Sequence, residues 1–269
     1  MNSAGYLSVF KISFKQEFAY RLNFIMWRVR NVIQIFVVFY LWETVFTASG
    51  MTLFGYDKPK ILTYVFGLII VRAFVLSARA VDVAGEIARG DLNNYLVKPI
   101  DYFKYWLTRD LASKALNLFF AFFETLFLLY ILKPPFFIQT NPVLISAFLV
   151  SLVFAMLNFF CSLFIVSAVP FWTPEAAWGA QFLFSAILVE FLSGALFPLD
   201  VLPIILQRIL SFLPFQYLIY FPIQVYLGKV QGQEVIKGIL VSGMWVLILY
   251  SLMKIVWRRG LKSYDAYGR

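Results

Sequence analysis

Long apolar runs divide the sequence, and their length limits what the chain can fold into. Each run has about the 20 residues that an α-helix needs to cross the hydrocarbon core of a bilayer. Hydrophobic residues make up 62% of the chain and the mean hydropathy is +0.81, values that exclude an ordinary soluble domain. We predict an all-α membrane protein that forms one domain over residues 1–269 and has six transmembrane helices. The predicted spans are residues 32–47, 61–78, 115–132, 143–168, a run that follows the turn 170–179 and reaches about Gly194, and 238–256.

The basic residues lie mostly at the ends of these runs, and their distribution predicts the orientation of the chain. The formal net charge is +9. With a cytoplasmic N-terminus, sixteen Lys and Arg residues lie inside and six outside, with Arg72 within a span. Such an excess marks the cytoplasmic loops of membrane proteins. We predict a multi-pass protein of the cell (plasma or inner) membrane with both termini cytoplasmic. Because the basic residues form no surface stripe, we expect no nucleic-acid partner.

Residue types that carry much of enzyme chemistry are scarce. The chain has no histidine and a single cysteine, Cys161, inside an apolar run. These counts remove the commonest general base and metal ligand, an intramolecular disulfide and a thiolate metal site. The first 30 residues lack the apolar core and cleavage site of a secretory signal. The sequence also has no G-x-x-x-x-G-K-[ST] motif, which binds ATP phosphates. From these absences together we predict no ATP-binding, metal or catalytic site in this chain.

Residues 5–28 form an amphipathic stretch. Apolar residues recur there every three or four positions, which places them on one helical stripe. The stripe consists of Leu7, Phe10, Phe14, Phe18, Leu22 and Ile25. Lys11 and Arg21 flank it, where long basic side chains reach lipid phosphates. We predict a helix that lies in the membrane interface and contacts lipid; the alternative is a simple anchor.

The loop 79–114 is the long interruption between the second and third spans. Its centre reads VAGEIARGDLNNYLVKPID and carries charges of both signs. We predict that a helix continues through Glu86 and Ile87 and ends at Gly90, because glycine favours a helix C-terminus. Asp91 is then expected to restart the chain as the N-cap of a second helix.

The second helix of this loop is short and amphipathic. Leu92, Leu96 and Val97 are expected to form an apolar edge on it, and Pro99 ends it. The acidic residues of the loop are scattered among basic ones such as Lys98, a pattern more typical of a docking surface than of an acid–base pair. We therefore predict that this segment is a docking element below the membrane domain.

Residues 194–228 are too apolar for an ordinary loop. Each half of the segment has about 12 residues, too few to cross a bilayer, and Arg208 lies in the first half. We predict a re-entrant hairpin that enters the outer leaflet and returns, with other helices covering its broken backbone. The alternative is a seventh, kinked span, which would place the basic C-terminal tail outside, against the charge distribution. Four prolines divide the segment: Pro198, Pro203, Pro214 and Pro222.

Ionisable residues within spans are costly and indicate function by default. The candidates are Glu43, Arg72, Glu124 and Glu190. Arg72 and Glu124 both fall near the middle of the bilayer, on consecutive spans that run in opposite directions. We predict that Arg72 and Glu124 form an ion pair or face the same wet path between chains. Glu43 lies near the outer end of its span, where it can reach water.

The order of these elements resembles the permease of type-2 ABC exporters. An interfacial helix, six spans, a cytoplasmic docking element after the second span and a re-entrant hairpin before the sixth are shared features. The chain is similar to small six-span permeases with two motifs. The first is Glu-Ile-x-x-Gly-x-Leu, followed by a leucine and a proline: Glu86, Ile87, Gly90, Leu92, Leu96 and Pro99. The second is Pro-Leu-x-x-x-Pro…Leu-Pro-Phe: Pro198, Leu199, Pro203, Leu213, Pro214 and Phe215.

The resemblance implies how such a chain works. The docking element corresponds to a coupling helix that sits in a cleft of a cytoplasmic ATPase dimer, which binds the ATP and Mg²⁺. A second permease chain, identical or homologous, is implied across the substrate path. The coupling residues that the resemblance implies are Glu86, Ile87, Gly90, Asp91, Leu92, Leu96, Lys98 and Pro99.

Two other classes stay open on the residues alone. A secondary transporter is expected to have broken spans in two repeated halves, whereas this sequence has one broken segment and no internal repeat. An integral membrane enzyme is expected to cluster its carboxylates. Aromatic residues make up 20% of the chain, which suits an apolar or amphipathic cargo. Because aromatic residues also fill any membrane core, they identify no substrate.

Overall fold

The computed structural model describes residues 3–19, 21–49 and 52–264. Within these ranges the chain is almost entirely helical and has no strand, only an isolated β-bridge between Leu53 and Tyr56. The π-helical segment Leu183–Val189 joins α8 to α9, and short 3₁₀ turns precede several other helices. The helices are α1 (Ser3–Ala19), α2 (Arg21–Ser49), α3 (Lys58–Val75), α4 (Asp82–Ala88), α5 (Asn93–Leu96), α6 (Tyr102–Leu132), α7 (Pro142–Val166), α8 (Ala177–Phe182), α9 (Glu190–Leu192), α10 (Ile204–Ser211), α11 (Tyr220–Tyr226) and α12 (Gln233–Ser263).

Five helical segments of the described chain are long and apolar enough to cross a membrane. They are Arg28–Thr47 in α2, Tyr102–Leu132, Pro142–Phe171, Pro174–Leu192 and Gln233–Ser263. The helix α3 contains three basic residues and is not apolar enough to count as a span by itself. It qualifies only together with Arg79–Ala88, and the chain bends by 52° between the two segments. The predicted class, an all-α membrane protein, is therefore confirmed. Six spans is the number obtained when the bent pair is counted as one.

Side chains at the helix ends explain where three of the long helices begin. Asp57, Asp101 and Asn141 accept hydrogen bonds from backbone N–H groups two or three residues ahead, at 2.9, 3.1 and 2.9 Å. Such caps satisfy N–H groups that have no partner within the helix. Because Asp101 caps α6, this helix begins well before residue 115, where the predicted third span begins.

The N-terminal stretch 5–28, predicted as one helix, is helical on both sides of residue 20, which lies outside the described residues. The described part before it is α1 (Ser3–Ala19), and residues 21–28 belong to α2 and continue directly into the first apolar span. The helix α1 packs along α6.

Part of the predicted apolar stripe of this stretch is exposed on the described chain. The rings of Phe10 and Phe14 stack with their centroids 6.4 Å apart. Leu7 and Ile25 are exposed. The side chains of two further stripe positions, Phe18 and Leu22, lie outside the described residues.

Two glycines of α12 allow close packing by rings from other segments. A Cβ atom at Gly238 would lie 2.1 Å from the Phe221 ring, and one at Gly260 would lie 2.1 Å from the Phe171 ring. Phe221 belongs to α11, and Phe171 to the turn after α7. The glycines therefore let α12 hold the segment 194–228 at one end and that turn at the other.

The connections between the long helices collect at two ends of the bundle. The loop end contains α4, α5, the turn after α7 and the end of α12, where the rings of Phe171 and Tyr264 lie 5.7 Å apart. The hairpin end contains the α2–α3 and α6–α7 connections and the segment 194–228. There the Gln139 side chain donates to the Tyr226 carbonyl at 2.9 Å.

Candidate functional site

The loop between α3 and α6 folds as two short helices with a sharp turn between them. The helix α4 ends at Ala88, and Gly90 adopts φ +80°, a conformation that glycine takes without strain. The Asp91 carboxylate accepts a hydrogen bond from Arg89 Nε at 2.9 Å. The predicted N-cap role of Asp91 is therefore wrong. Leu92 occupies the N-cap position of α5, with no side-chain cap.

Glu86 lies inside this loop and holds its parts together. Its carboxylate accepts hydrogen bonds from Tyr95 Oη at 2.8 Å and from Tyr102 Oη at 2.7 Å, and the residue is 8% exposed. Burial raises the pKa of Glu86, and the two tyrosine hydrogen bonds oppose that rise. Burial, followed by the bond to Glu86, raises the pKa of Tyr95, so its hydroxyl remains a donor. Glu86 thus ties α4 to α5 and to the start of α6.

The surface that the loop presents is smaller than the sequence predicts. Ile87 and Leu92 are 4% and 0% exposed and pack in the hydrophobic core. The predicted apolar edge with Leu92 and Leu96 side by side is therefore wrong, because Leu92 points into the chain. Leu96 and Val97 are 48% and 82% exposed. Together with the exposed Lys98 and Pro99, they form what we call the tip, residues 96–99.

A groove of about 460 Å³ lies beside the tip, between α1 and the loop. Both charge signs line it. Its lining residues include Val9, Glu86, Arg89, Asp91 and Lys98. Polar lining of both signs suits contact with a protein surface better than contact with lipid tails.

The root of the loop, where α3 ends, is held by two residues of α6. Lys114 Nζ lies 3.1 Å from Asp110 Oδ2, and their side chains are 2% and 0% exposed. Lys114 donates to the Val75 carbonyl at 3.3 Å and also to the Ser77 carbonyl. Asp110 Oδ1 accepts from the Arg79 N–H at 2.7 Å.

Two further side chains reach the 3₁₀ turn Arg79–Val81. Ser167, at the C-terminus of α7, donates to the Ala80 carbonyl at 3.0 Å. Gln181 of α8 donates to the Val81 carbonyl at 2.7 Å and to Ser167 Oγ at 2.9 Å. The root is therefore bonded to α6, α7 and α8.

The charges within the spans pair differently from the prediction. Arg72 of α3 forms an ion pair with Glu190 of α9. Glu124 of α6 pairs with Arg28 of α2 through two bonds of 2.5 Å, Nε to Oε1 and Nη2 to Oε2. The predicted Arg72–Glu124 ion pair is therefore wrong, because each residue has its partner on another helix.

Arg72 and Glu124 nevertheless line one small cleft. Arg28, Asn31, Gln34 and apolar residues of α2, α3 and α6 complete its walls, and its volume is about 20 Å³, room for one water molecule. The second predicted possibility, that Arg72 and Glu124 face a common space, fits this geometry. Glu43 pairs with Lys58 at 2.6 Å near the hairpin end, and both side chains are about one-third exposed.

The segment 194–228 contains no helix longer than eight residues. At 1.5 Å per residue such a helix rises about 12 Å, far less than a bilayer core of about 30 Å. Pro198, Pro203 and Pro214 each directly precede a helical turn, where the missing N–H costs nothing. Arg208 is exposed on α10, and Phe215 begins the next turn, half-buried.

Asp200 joins this segment to two other connections of the hairpin end. Its carboxylate accepts from Tyr56 Oη at 2.6 Å, from Tyr220 Oη at 2.5 Å and from Lys229 Nζ at 3.0 Å. Lys229 also donates to the Phe54 carbonyl at 3.0 Å and lies 3.4 Å from the centre of the Tyr56 ring. Burial, followed by the Asp200 charge, raises the pKa of Tyr56, whereas burial lowers the pKa of Lys229 against the opposing effect of Asp200.

Sequence reasoning missed Asp200 and the Asp110–Lys114 pair. Asp200 occupies one of the x positions of the motif Pro-Leu-x-x-x-Pro, so the motif does not single it out. Its partners are distant in the chain, so no local spacing indicates them. The spacing of Asp110 and Lys114, four residues apart on one helix, was a usable signal, since residues at this spacing contact each other. The charge distribution instead predicts Lys114 as one of the sixteen basic residues on the cytoplasmic side.

One comparison with known proteins yields a match. A family model described as "ABC-2 family transporter protein" matches residues 32–268. No curated protein sequence matches the chain. The matched residues include the loop, Arg72, Glu124 and the segment 194–228.

Proposed function

The chain belongs to the ABC-2 family of transporter proteins, and from this premise we propose that it is the permease subunit of an ATP-driven exporter. A separate cytoplasmic ATPase dimer binds ATP and Mg²⁺ and supplies the energy. A second permease chain, identical or homologous, completes the translocation path. Family membership and the absence of a phosphate-loop motif from the sequence support this division of labour.

The observation that carries the proposal is the exposed tip on a rigid support. Leu96 and Val97 are exposed at the end of a loop whose interior is held by Glu86 and whose root is bonded to three helices. Ordering such a loop costs conformational entropy, and the bonds within the chain offset this cost in the unbound protein. A partner therefore binds a loop that is already ordered. In this proposal the tip fits a cleft of the ATPase, and the neighbouring groove receives polar contacts.

The test is co-purification from native membranes. The tagged wild-type chain should bring down an ATPase that carries a phosphate-loop motif. Leu96→Asp/Val97→Asp should insert normally but lose the ATPase, because two apolar contacts are replaced by charges. Ile138→Asp, which alters an equally exposed apolar residue at the hairpin end (70% exposed), is the matched control and should retain it.

Two results would contradict the proposal. A wild-type chain that brings down no ATPase would favour a secondary transporter or a membrane enzyme. A double tip variant that retains its ATPase at wild-type stoichiometry would remove the coupling role of the tip.

The proposed topology places both termini and the loop end in the cytoplasm, in the cell membrane, and keeps the segment 194–228 on the outer side. Single cysteines at Thr52 and Gln233 test it, in a Cys161→Ala background. Both positions are exposed at the hairpin end. An impermeant thiol reagent should label both in intact cells. Labelling at Gln233 only after permeabilisation would mean that the segment crosses the membrane.

A further inference from the structure

We propose that Asp110 and Lys114 form a mechanical joint that passes a displacement of the loop to α3 and its Arg72–Glu190 ion pair. The proposal rests on the proposed function, because a docked ATPase is what would displace the loop. Asp110 and Lys114 are then positioning residues of the transport cycle, beyond any contribution to stability.

The joint lies where the backbone is interrupted. The helix α3 ends at Val75, the next turn begins at Arg79, and the axis bends by 52° between them. Carbonyls at a helix C-terminus and N–H groups at the following N-terminus lack partners within their own helices. Lys114 donates to carbonyls before the bend, and Asp110 accepts from an N–H after it. One ion pair thus bonds to both sides of the interruption.

A contribution to stability does not by itself explain why an ion pair lies at this position. A buried ion pair is often no more stabilising than apolar residues of the same volume, because both charges lose their hydration. What the pair adds is a fixed geometry, since Lys114 and Asp110 together hold three backbone atoms at fixed distances across the bend. Apolar residues would fill the space without fixing those distances.

The contacts on either side of the joint complete a path. On the loop side, Glu86 ties α5 and the tip to α4, so that these parts move together. On the α3 side, the Leu76 N–H donates to the Arg72 carbonyl at 2.9 Å, which places the ion pair with Glu190 one helical turn from the joint. A movement of the tip therefore reaches the cleft through covalent chain and buried bonds.

The test uses the permease reconstituted with its ATPase and a reporter in the cleft. Gln34→Cys lines the cleft, and its rate of labelling by a small maleimide is measured with and without ATP plus vanadate, in a Cys161→Ala background. Asp110→Asn/Lys114→Met removes both charges, so no unpaired charge is buried. Asp110→Lys/Lys114→Asp keeps an ion pair but exchanges donor and acceptor. Lys104→Met, an exposed lysine on the same helix, is the matched control.

In the wild type and in Lys104→Met, nucleotide should change the labelling rate. Both joint variants should bind the ATPase at wild-type stoichiometry and hydrolyse ATP, yet lose the nucleotide-dependent change. If the exchanged pair restores that change, the residues act only as an ion pair and the proposal is overturned. Retention of the full change in the neutral variant overturns it as well.

Hydrogen exchange on the permease alone separates this proposal from the proposed function. Amides of residues 76–82 should exchange faster in both joint variants than in Lys104→Met. Unchanged exchange overturns the joint whether or not an ATPase binds. A wild type that recruits no ATPase, with faster exchange in the variants, overturns the proposed function and the transmitting role together and leaves Asp110 and Lys114 as a structural clamp.

Discussion

The two ends of the bundle each contain a polar cluster, and the clusters differ in burial and in the partners that they bind. At the loop end, Asp110 and Lys114 lie on adjacent turns of one helix and are almost fully enclosed. At the hairpin end, Asp200 and Lys229 are 22% and 17% exposed, and their partners come from distant parts of the chain. The first cluster binds backbone atoms of a neighbouring segment, whereas the second binds mainly side chains.

This difference predicts how each end responds to damage. Removing one charge at the loop end leaves the other without water or a counter-charge, because the pair is sealed. Removing one at the hairpin end allows water to replace it, since both side chains reach the surface. The loop end is therefore expected to be the more rigid of the two, as a force-transmitting support requires, and the hairpin end the more tolerant.

The largest effect is expected from Asp110→Ala. It leaves Lys114 buried without its counter-charge and should lower the free energy of unfolding by about 3–5 kcal/mol. Thermal unfolding in detergent measures the loss. Asp82→Ala is the control, because Asp82 lies 3.7 Å from Arg79 in a partly exposed pair, for which a loss below about 1 kcal/mol is expected. Equal losses in the two variants would remove the contrast between sealed and open pairs.

Asp200→Ala is expected to cost less, about 2–3 kcal/mol, because water can reach Lys229 after the carboxylate is lost. The loss should be accompanied by faster proteolysis of the segment 194–228, since Tyr56 and Lys229 no longer bind the segment through Asp200. Tyr217→Phe is the comparison: its hydroxyl donates to the Ser211 carbonyl at 3.0 Å within the same segment. A greater loss in Tyr217→Phe than in Asp200→Ala would show that Asp200 does not organise this end.

The sequence predicts the helical class because length and hydropathy are local properties of each run. Periodicity failed for Leu92 because its side chain packs into the core, although the residue has helical dihedral angles. Leu92 is 0% exposed and Leu96, four residues later, is 48% exposed, so the spacing of four did not show which of the two residues the chain covers. The exposed tip therefore begins at Leu96.

Charge pairing could not be predicted for a different reason. Arg72 and Glu190 are 118 residues apart in the chain, and Arg28 and Glu124 are 96 apart. Depth in the membrane is readable from position within a span, but the rotation of each helix about its axis depends on packing. Two charges at the same depth on consecutive spans can therefore face different neighbours, as Arg72 and Glu124 do.

Double-mutant cycles on thermal unfolding sharpen that point. Arg72→Leu and Glu190→Leu should be coupled by about 1–2 kcal/mol, because each removes a charge that compensates the other. Arg72→Leu and Glu124→Leu share a cleft but no bond, so their effects should add. Coupling in the second cycle as large as in the first would restore the pairing predicted from sequence.

The smallest expected effect is the change in the free energy of unfolding with pH that Glu86 of the loop causes. Burial raises the pKa of Glu86 above that of a carboxyl in the unfolded chain, about 4.3. The folded state then holds the proton more tightly than the unfolded state, so its stability contribution is complete below about pH 4 and is lost as pH rises through the raised pKa. Glu86→Gln does not titrate, so its stability relative to the wild type should increase from pH 4 towards neutrality.

Tyr95→Phe tests the same balance from the other side. It removes one of the two hydroxyl donors to the Glu86 carboxylate, so the pKa of Glu86 should rise further and the loss of stability should move to higher pH. Thermal unfolding of the three proteins across this pH range supplies the measurement. A Glu86→Gln advantage that shrinks as pH rises would show that the tyrosine hydrogen bonds outweigh burial. The loop interior would then be organised around a stabilised carboxylate, and its rigidity would increase towards neutral pH.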